Sequence, residues 1–142
     1  MPRAYEYTHI VGFEETNLVG NVYYANYVLW QGRCREMFLY HHAPEVIDAI
    51  GDGLALVTVH VSCQYLSELF AFDQVVIAMQ LKEIIQNRVT MGFEYWRHGP
   101  QARTLVATGE QQAACMRREA GVSVPTPIPL PLRNALEMFR GD

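Results

Sequence analysis

Lysine is almost missing from this 142-residue chain; Lys82 is the only one. Lys and Arg together number 11 against 15 Asp and Glu, for a formal net charge of −4. No basic run goes beyond Arg117-Arg118, which excludes the clustered positive face that nucleic-acid binding requires. Charge of either sign is scarce, at 18% against about 25% in average soluble domains. Long apolar runs are absent as well. The stretch from Leu54 to Val61 is interrupted by Thr58 and His60 and falls short of the roughly 18 residues a membrane helix needs. The N-terminus, Met1-Pro-Arg-Ala-Tyr-Glu, lacks the apolar core of a secretion signal. Cys34, Cys63 and Cys115 are odd in number and widely spaced, so neither a disulfide framework nor a zinc site is expected, and they read as small apolar side chains. The expectation from these absences is a cytoplasmic protein with no membrane span.

What the chain does hold is apolar and aromatic: 50% hydrophobic and 11% aromatic residues. Such a chain can offset its ordering entropy, which excludes disorder. Its length predicts one domain over residues 1–142. The apolar surplus predicts surface covered by another subunit or lining a ligand cavity. Residues 5–13 alternate as a strand, with Tyr5, Tyr7, His9, Val11 and Phe13 on one face. The loop 14–19 follows, closed by Gly20-Asn21. From 22 to 42 the period becomes helical through Tyr23, Tyr27, Trp30, Cys34, Met37, Phe38 and His41, with Asn21 as the candidate N-cap. Gly32 inside that helix predicts a close packing partner. Residues 44–50 read as a short helix with Pro44 in its first turn.

Four strand-like segments follow, at 54–66, 73–85, 88–97 and 103–118, with Gln86-Asn87 as a hairpin turn. In the first, Val57, Val59, Val61, Cys63 and Tyr65 alternate with Leu56, Thr58, His60, Ser62 and Gln64. The segment 121–142 comprises a proline-rich stretch, extended over 124–132, and a short helix over 133–140. The fold class is α+β: one long central helix wrapped by a five-stranded antiparallel sheet.

The segment joining the first strand to the long helix, Phe13 to Tyr27, carries the chemistry. A helix start near Val22–Tyr24 offers free N–H groups and a positive dipole end, fit for a carbonyl oxygen or oxyanion. Gly20 permits close approach. Glu14, Glu15 and Asn17 lie in the loop; Glu15 reads as an exposed loop acid and a conceivable base. Tyr24, Tyr27, Gln31 and Arg35 share one face, but Tyr24 and Arg35 lie about 16 Å apart along the axis. Either the 14–21 loop folds back along the helix or the site combines two subunits; the sequence leaves both open. Arg35 also has a plain reading, a solvated residue hydrogen-bonded to Gln31. His41 and His42 point about 100° apart and do not chelate.

Phe13, Glu15, Thr16, Asn17, Gly20, Val22, Tyr24 and Tyr27 resemble the motif of hot-dog-fold thioesterases of the 4-hydroxybenzoyl-CoA thioesterase type. The run ETNLVGNVYYANY…WQGRCREMF is similar to the branch encoded with enediyne polyketide synthases. The resemblance implies a hot-dog fold and a thioesterase that assembles as dimers or dimers of dimers. The position of Asn17 is usually Asp in the wider family. Asn cannot take a proton at neutral pH, so a carboxylate mechanism through it is closed. The branch match implies catalytic roles for Asn17, Tyr27 and Arg35 in orienting the thioester and stabilising its oxyanion. Thr58 assists, and Gly20, Val22, Tyr24 and Glu15 line the substrate. The implied substrate is a polyene acyl chain with a β-keto or β-hydroxy group on an acyl carrier protein. A β-keto acid so released loses CO₂ to give a methyl ketone. Thioester hydrolysis needs no metal or redox cofactor. Two alternatives stand beside this reading: a general acyl-CoA thioesterase of the same fold, disfavoured by the shortage of lysine for phosphates, and a non-catalytic ligand-binding module, kept open by Asn17.

Overall fold

The computed structural model describes residues 3–141. In chain order it comprises strand β1 (Tyr5–Ile10), a 3-10 turn (Phe13–Glu15), helices α1 (Ala25–His42) and α2 (Pro44–Gly51), strands β2 (Leu54–Tyr65), β3 (Gln74–Ile85), β4 (Arg88–His98), β5 (Arg103–Glu119) and β6 (Val122–Pro125), and helix α3 (Leu130–Glu137). One antiparallel sheet holds the strands in the order β1-β3-β4-β5-β2, with β6 paired to the end of β5. It therefore has six described strands, not five. The sixth comes from the proline-rich segment: β6 lies beside Met116–Glu119, past the last β4–β5 pair at Ala114. Pro125 is tolerated on that edge because its missing N–H breaks no inner ladder. The last helix begins at Leu130, with Pro131 in its first turn, rather than at 133.

The sheet curls round α1. Val75, Ile77, Met79 and Leu81 of β3 and Phe93 and Tyr95 of β4 point inward and are buried against Trp30, Cys34 and Phe38 of α1. Truncating Phe38 or Phe93 to Ala there costs about 3–5 kcal/mol. Cys34 behaves as a small apolar residue. Burial pushes its thiol pKa up, so it stays neutral.

Local structure differs from the sequence expectation in four places. First, α1 starts at Ala25, with Tyr24 at its cap and no side-chain capping bond. Val22 is held extended by a bridge to Thr16 and by its N–H on the Leu69 carbonyl (2.8 Å), so the helix cannot begin there. Second, a Cβ on Gly32 would meet nothing within 4 Å, so no close partner lies over it within the protomer. Third, β1 ends at Ile10, and Phe13 opens the 3-10 turn instead of continuing the strand; its ring is exposed. Fourth, a bulge interrupts β2. Thr58 pairs with Ala113 and His60 with Gln112, leaving Val59 as an extra residue. Thr58 joins Leu54 and Leu56 on the helix side, and Val61, Cys63 and Tyr65 resume that side after the bulge. Thr58 and His60 thus face opposite ways. No described helix is long and apolar enough to cross a membrane.

Candidate active site

The loop before α1 is pinned at the helix N-terminus. Asn17 N–H donates to the Asn21 carbonyl (2.8 Å) and Gly20 N–H to the Asn17 carbonyl (2.9 Å). Gly20 closes this turn at φ +98°, a left-handed conformation that suits glycine. Val22 N–H is taken by Leu69 and Tyr23 N–H by the Glu15 carbonyl (2.9 Å). The helix-start donors expected at Val22 and Tyr23 are therefore spent. Tyr24 N–H has no acceptor among the described residues. With the Ala25 N–H, which likewise has no acceptor among the described residues, it is left free at the positive end of the helix. The Tyr24 carbonyl accepts from the Tyr65 hydroxyl (3.0 Å), and its ring is exposed.

A side-chain relay orients Asn17. Its Nδ2 donates to Asn21 Oδ1 (3.0 Å), and Asn21 Nδ2 donates to Glu68 Oε1 (3.2 Å). An ionised carboxylate only accepts, so Glu68 turns the Asn21 amide toward itself, and Asn21 in turn calls for a donor from Asn17. Asn17 Oδ1 is left without a donor among the described residues, free to accept from a water or a ligand. Asn21 thus serves as a link in this relay and not as a helix cap.

Glu15 is no exposed loop acid. Its carboxylate accepts from His9 Nε2 (2.7 Å), Gly12 N–H (3.0 Å) and Trp30 Nε1 (2.8 Å), while its carbonyl also accepts from Asn26 Nδ2 (2.8 Å). Burial alone would raise its pKa; the bonds from Gly12, His9 and Trp30 outweigh burial and hold it below the ordinary carboxylate value. The residue rivets the loop to β1 and α1.

Tyr27, Gln31 and Arg35 face the sheet, as their spacing predicts. The Tyr27 ring packs against Trp30, Tyr65 and Tyr95, and its carbonyl accepts from the buried Tyr95 hydroxyl (2.7 Å). Burial pushes the Tyr27 phenol up to about 12, so it stays protonated and neutral at physiological pH. Arg35 is not a solvated partner of Gln31. Its Nη1 donates to Gln111 Oε1 (2.7 Å) and makes a long contact with Thr58 Oγ1 (3.5 Å). Thr58 faces Arg35 by the alternation it shares with Leu54 and Leu56, and the β2 bulge after it turns His60 away. Below Arg35 lies an apolar slot between α1, the sheet and α3, lined by Phe38, Leu56, Met91, Ala113 and Leu136, with a free volume of about 20 Å³. That admits one water and no acyl chain. No hydrogen bond among the described residues joins the Asn17 loop to the Arg35 group. A separate depression of about 320 Å³ opens among Gln80, Lys82, Glu94 and Glu110, on the side of the sheet away from α1. The motif does not reach it. No group of three His, Cys, Asp or Glu suited to a metal ion occurs among the described residues.

Residues 11–136 match the Thioesterase-like superfamily. The chain belongs to that superfamily. A comparison with curated protein sequences gives no match. Among solved structures, the dynemicin thioesterase is 47% identical with a TM-score of 0.94, covering 98% of this chain and 99% of its own; its structure describes induced-fit and allosteric effects upon polyene binding. A 4-hydroxybenzoyl-CoA thioesterase mutant complexed with 4-hydroxybenzoyl-CoA shares the fold at 16% identity and TM-score 0.82, covering 96% of this chain and 99% of that one. A gentisyl-coenzyme A thioesterase does so at 23% and 0.77, covering 93% and 98%.

This thioesterase has the hot-dog fold and is a thioester hydrolase, which sets aside the non-catalytic reading. Its candidate machinery includes residues that sequence reasoning missed. Glu68 orients the Asn17 relay from 47 residues beyond Asn21, and Gln111 holds Arg35 from 76 residues away. Neither carries a local signal, since a glutamate before a turn and a glutamine in a strand are unremarkable by type.

Proposed function

We propose that this thioesterase releases a polyene acyl chain, bearing a β-keto or β-hydroxy group, from the acyl carrier protein of an enediyne polyketide synthase. The observation that carries the reading is the full-length 47% identity to the dynemicin thioesterase, whose structure is described for polyene binding. The apolar slot beneath Arg35, at about 20 Å³, is too small for such a chain, so the reading requires it to widen when the acyl group enters. The single lysine favours a carrier protein over coenzyme A as donor.

In this reading Asn17 Oδ1 accepts a hydrogen bond from the attacking water. Tyr24 N–H and the Arg35 guanidinium, with Thr58, stabilise the oxyanion that forms when water oxygen adds to the thioester carbon. The carbon–sulfur bond then breaks, the departing thiolate takes the proton given up by the water and leaves as the carrier's thiol, and the acid is released. A β-keto acid loses CO₂ to leave a methyl ketone. The Tyr27 ring contacts the substrate, and Gly20 gives it room.

The Asn17 and Arg35 groups are separate in one protomer, and the loop is tied down at the helix start. This supports a site built by two subunits. β2 is the last strand of the main sheet path and exposes Val57 and Val59, an edge for a second copy. The protein is then a cytoplasmic single domain over 1–142 that works as a homo-oligomer, a dimer or dimer of dimers.

The test is hydrolysis of one polyenoyl chain presented on the carrier protein and on coenzyme A. Faster release from the carrier is expected, and Asn17→Ala is expected to lower kcat by more than about tenfold. Equal or faster turnover of the coenzyme A ester returns the protein to the general acyl-CoA class. Full activity in Asn17→Ala removes Asn17 from the mechanism.

A further inference from the structure

Arg35 is a half-buried cation held only by uncharged partners. No acidic side chain among the described residues lies within ion-pair distance of it. Glu36, beside it on α1, pairs with Arg33 (2.9 Å); Glu110 of β5 pairs with Lys82 (3.3 Å); Glu137 of α3 pairs with Arg140. β2 has no acid in its sequence. Burial pulls the Arg35 pKa down, yet a guanidinium stays charged. Buried charges are ordinarily paired with opposite charge, because desolvation is costly.

In place of a counter-ion there is a chain of two buried amides. Gln31 is 0% and Gln111 4% exposed. Gln31 Nε2 donates to the Ser62 carbonyl (3.0 Å), Gln111 Nε2 donates to Gln31 Oε1 (3.5 Å), and Gln111 Oε1 accepts from Arg35 Nη1 (2.7 Å). The direction is forced from the far end. A main-chain carbonyl can only accept, so Gln31 must present its Nε2 to Ser62 and its oxygen to Gln111. Gln111 is then left with its oxygen facing Arg35. Gly109 makes the passage possible: a Cβ there would stand 2.5 Å from Gln31 Nε2 and 2.6 Å from the Ser62 carbonyl.

We propose that Gln31 and Gln111 are positioning residues that aim Arg35 without neutralising it, so that the missing counter-charge is supplied by the ligand. The ligand class is an anion on an apolar chain: the oxyanion formed during hydrolysis, or the carboxylate of the released acid. A glutamate at 111 would still accept from the guanidinium and would cancel its charge, while giving Gln31 Oε1 no donor. This inference rests on the reading of Arg35 as part of the hydrolytic site.

The experiment compares wild type, Gln111→Glu and Gln111→Met. Two readouts are taken: kcat and KM on a carrier-bound polyenoyl thioester, and binding of α-parinaric acid, a fluorescent conjugated tetraenoic acid, against its alcohol. Wild type is expected to bind the acid more tightly than the alcohol. Gln111→Glu is expected to lose that preference and at least about tenfold in kcat, with alcohol binding within about twofold of wild type. Gln111→Met, which keeps the charge and loses the acceptor, is expected to lose about tenfold in kcat with alcohol binding retained. A merely structural role would weaken acid and alcohol together. Wild-type kcat and wild-type acid preference in Gln111→Glu overturn the proposal. If that variant does not fold, wild-type kcat in Gln111→Met overturns it instead. A wild-type protein that hydrolyses no carrier-bound thioester refutes the reading beneath the proposal, not the relay.

Discussion

Glu15→Gln tests how the catalytic loop is fastened. The wild-type carboxylate accepts three hydrogen bonds, from His9, Gly12 N–H and the Trp30 indole, and its side chain is 15% exposed. Glutamine has one oxygen. If it serves Gly12 and His9, its Nε2 must face the Trp30 N–H, donor against donor. The loss is one charge-assisted bond, worth about 1.5–3 kcal/mol, and one donor left unsatisfied at about 1–3 kcal/mol, so about 3 kcal/mol is expected near neutral pH. For a domain of this size that lowers Tm by about 6–12 °C. Thermal unfolding is followed by circular dichroism at one fixed protein concentration, because assembly makes Tm concentration-dependent.

The pH dependence of the same pair of proteins checks the cause. The folded Glu15 carboxyl lies below its usual value of 4.5, so its stabilisation is complete above that value and is lost as pH falls through the folded pKa. The gap between wild type and Glu15→Gln should narrow below about pH 4.5. A gap under about 1 kcal/mol near neutral pH, or one that persists unchanged to about pH 3, refutes the picture of Glu15 as a charged rivet.

Two further substitutions probe the packing. Gly109→Ala drives a methyl group into Gln31 Nε2 and the Ser62 carbonyl, and is expected to cost about 1–3 kcal/mol in urea unfolding and to lower kcat by displacing the amide relay. Gly32→Ala meets open space in the protomer and is expected to raise stability by up to about 1 kcal/mol through helix propensity; a lowered urea midpoint would show that another subunit covers that side of α1.

Much of the architecture was legible because the relevant signals are local. The helical spacing of Trp30, Cys34 and Phe38, the Gln86-Asn87 turn and the strand-forming runs place most of α1, α2 and β2 to β5 within a residue or two. The motif from Phe13 to Tyr27 points to the superfamily on its residues alone, and residues 11–136 match it. The errors lie where a distant partner overrides the local pattern. Leu69 and Thr16 hold Val22 extended and delay the helix. The end of β5 recruits Val122–Pro125 as a sixth strand.

By itself, then, the sequence determined the order of elements, the superfamily and the absence of a carboxylate at position 17. Only the tertiary structure decided which side chains work together. One extra residue at Val59 leaves Thr58 on the face of Arg35 but turns His60 to the other and brings Val61, Cys63 and Tyr65 inward, because side chains alternate with a period of two and a single insertion reverses every later one. Gln111 reaches Arg35, and Glu68 reaches Asn21, through strand register and loop closure across dozens of residues. Periodicity along a chain records which face a residue takes, not which distant residue it will meet there.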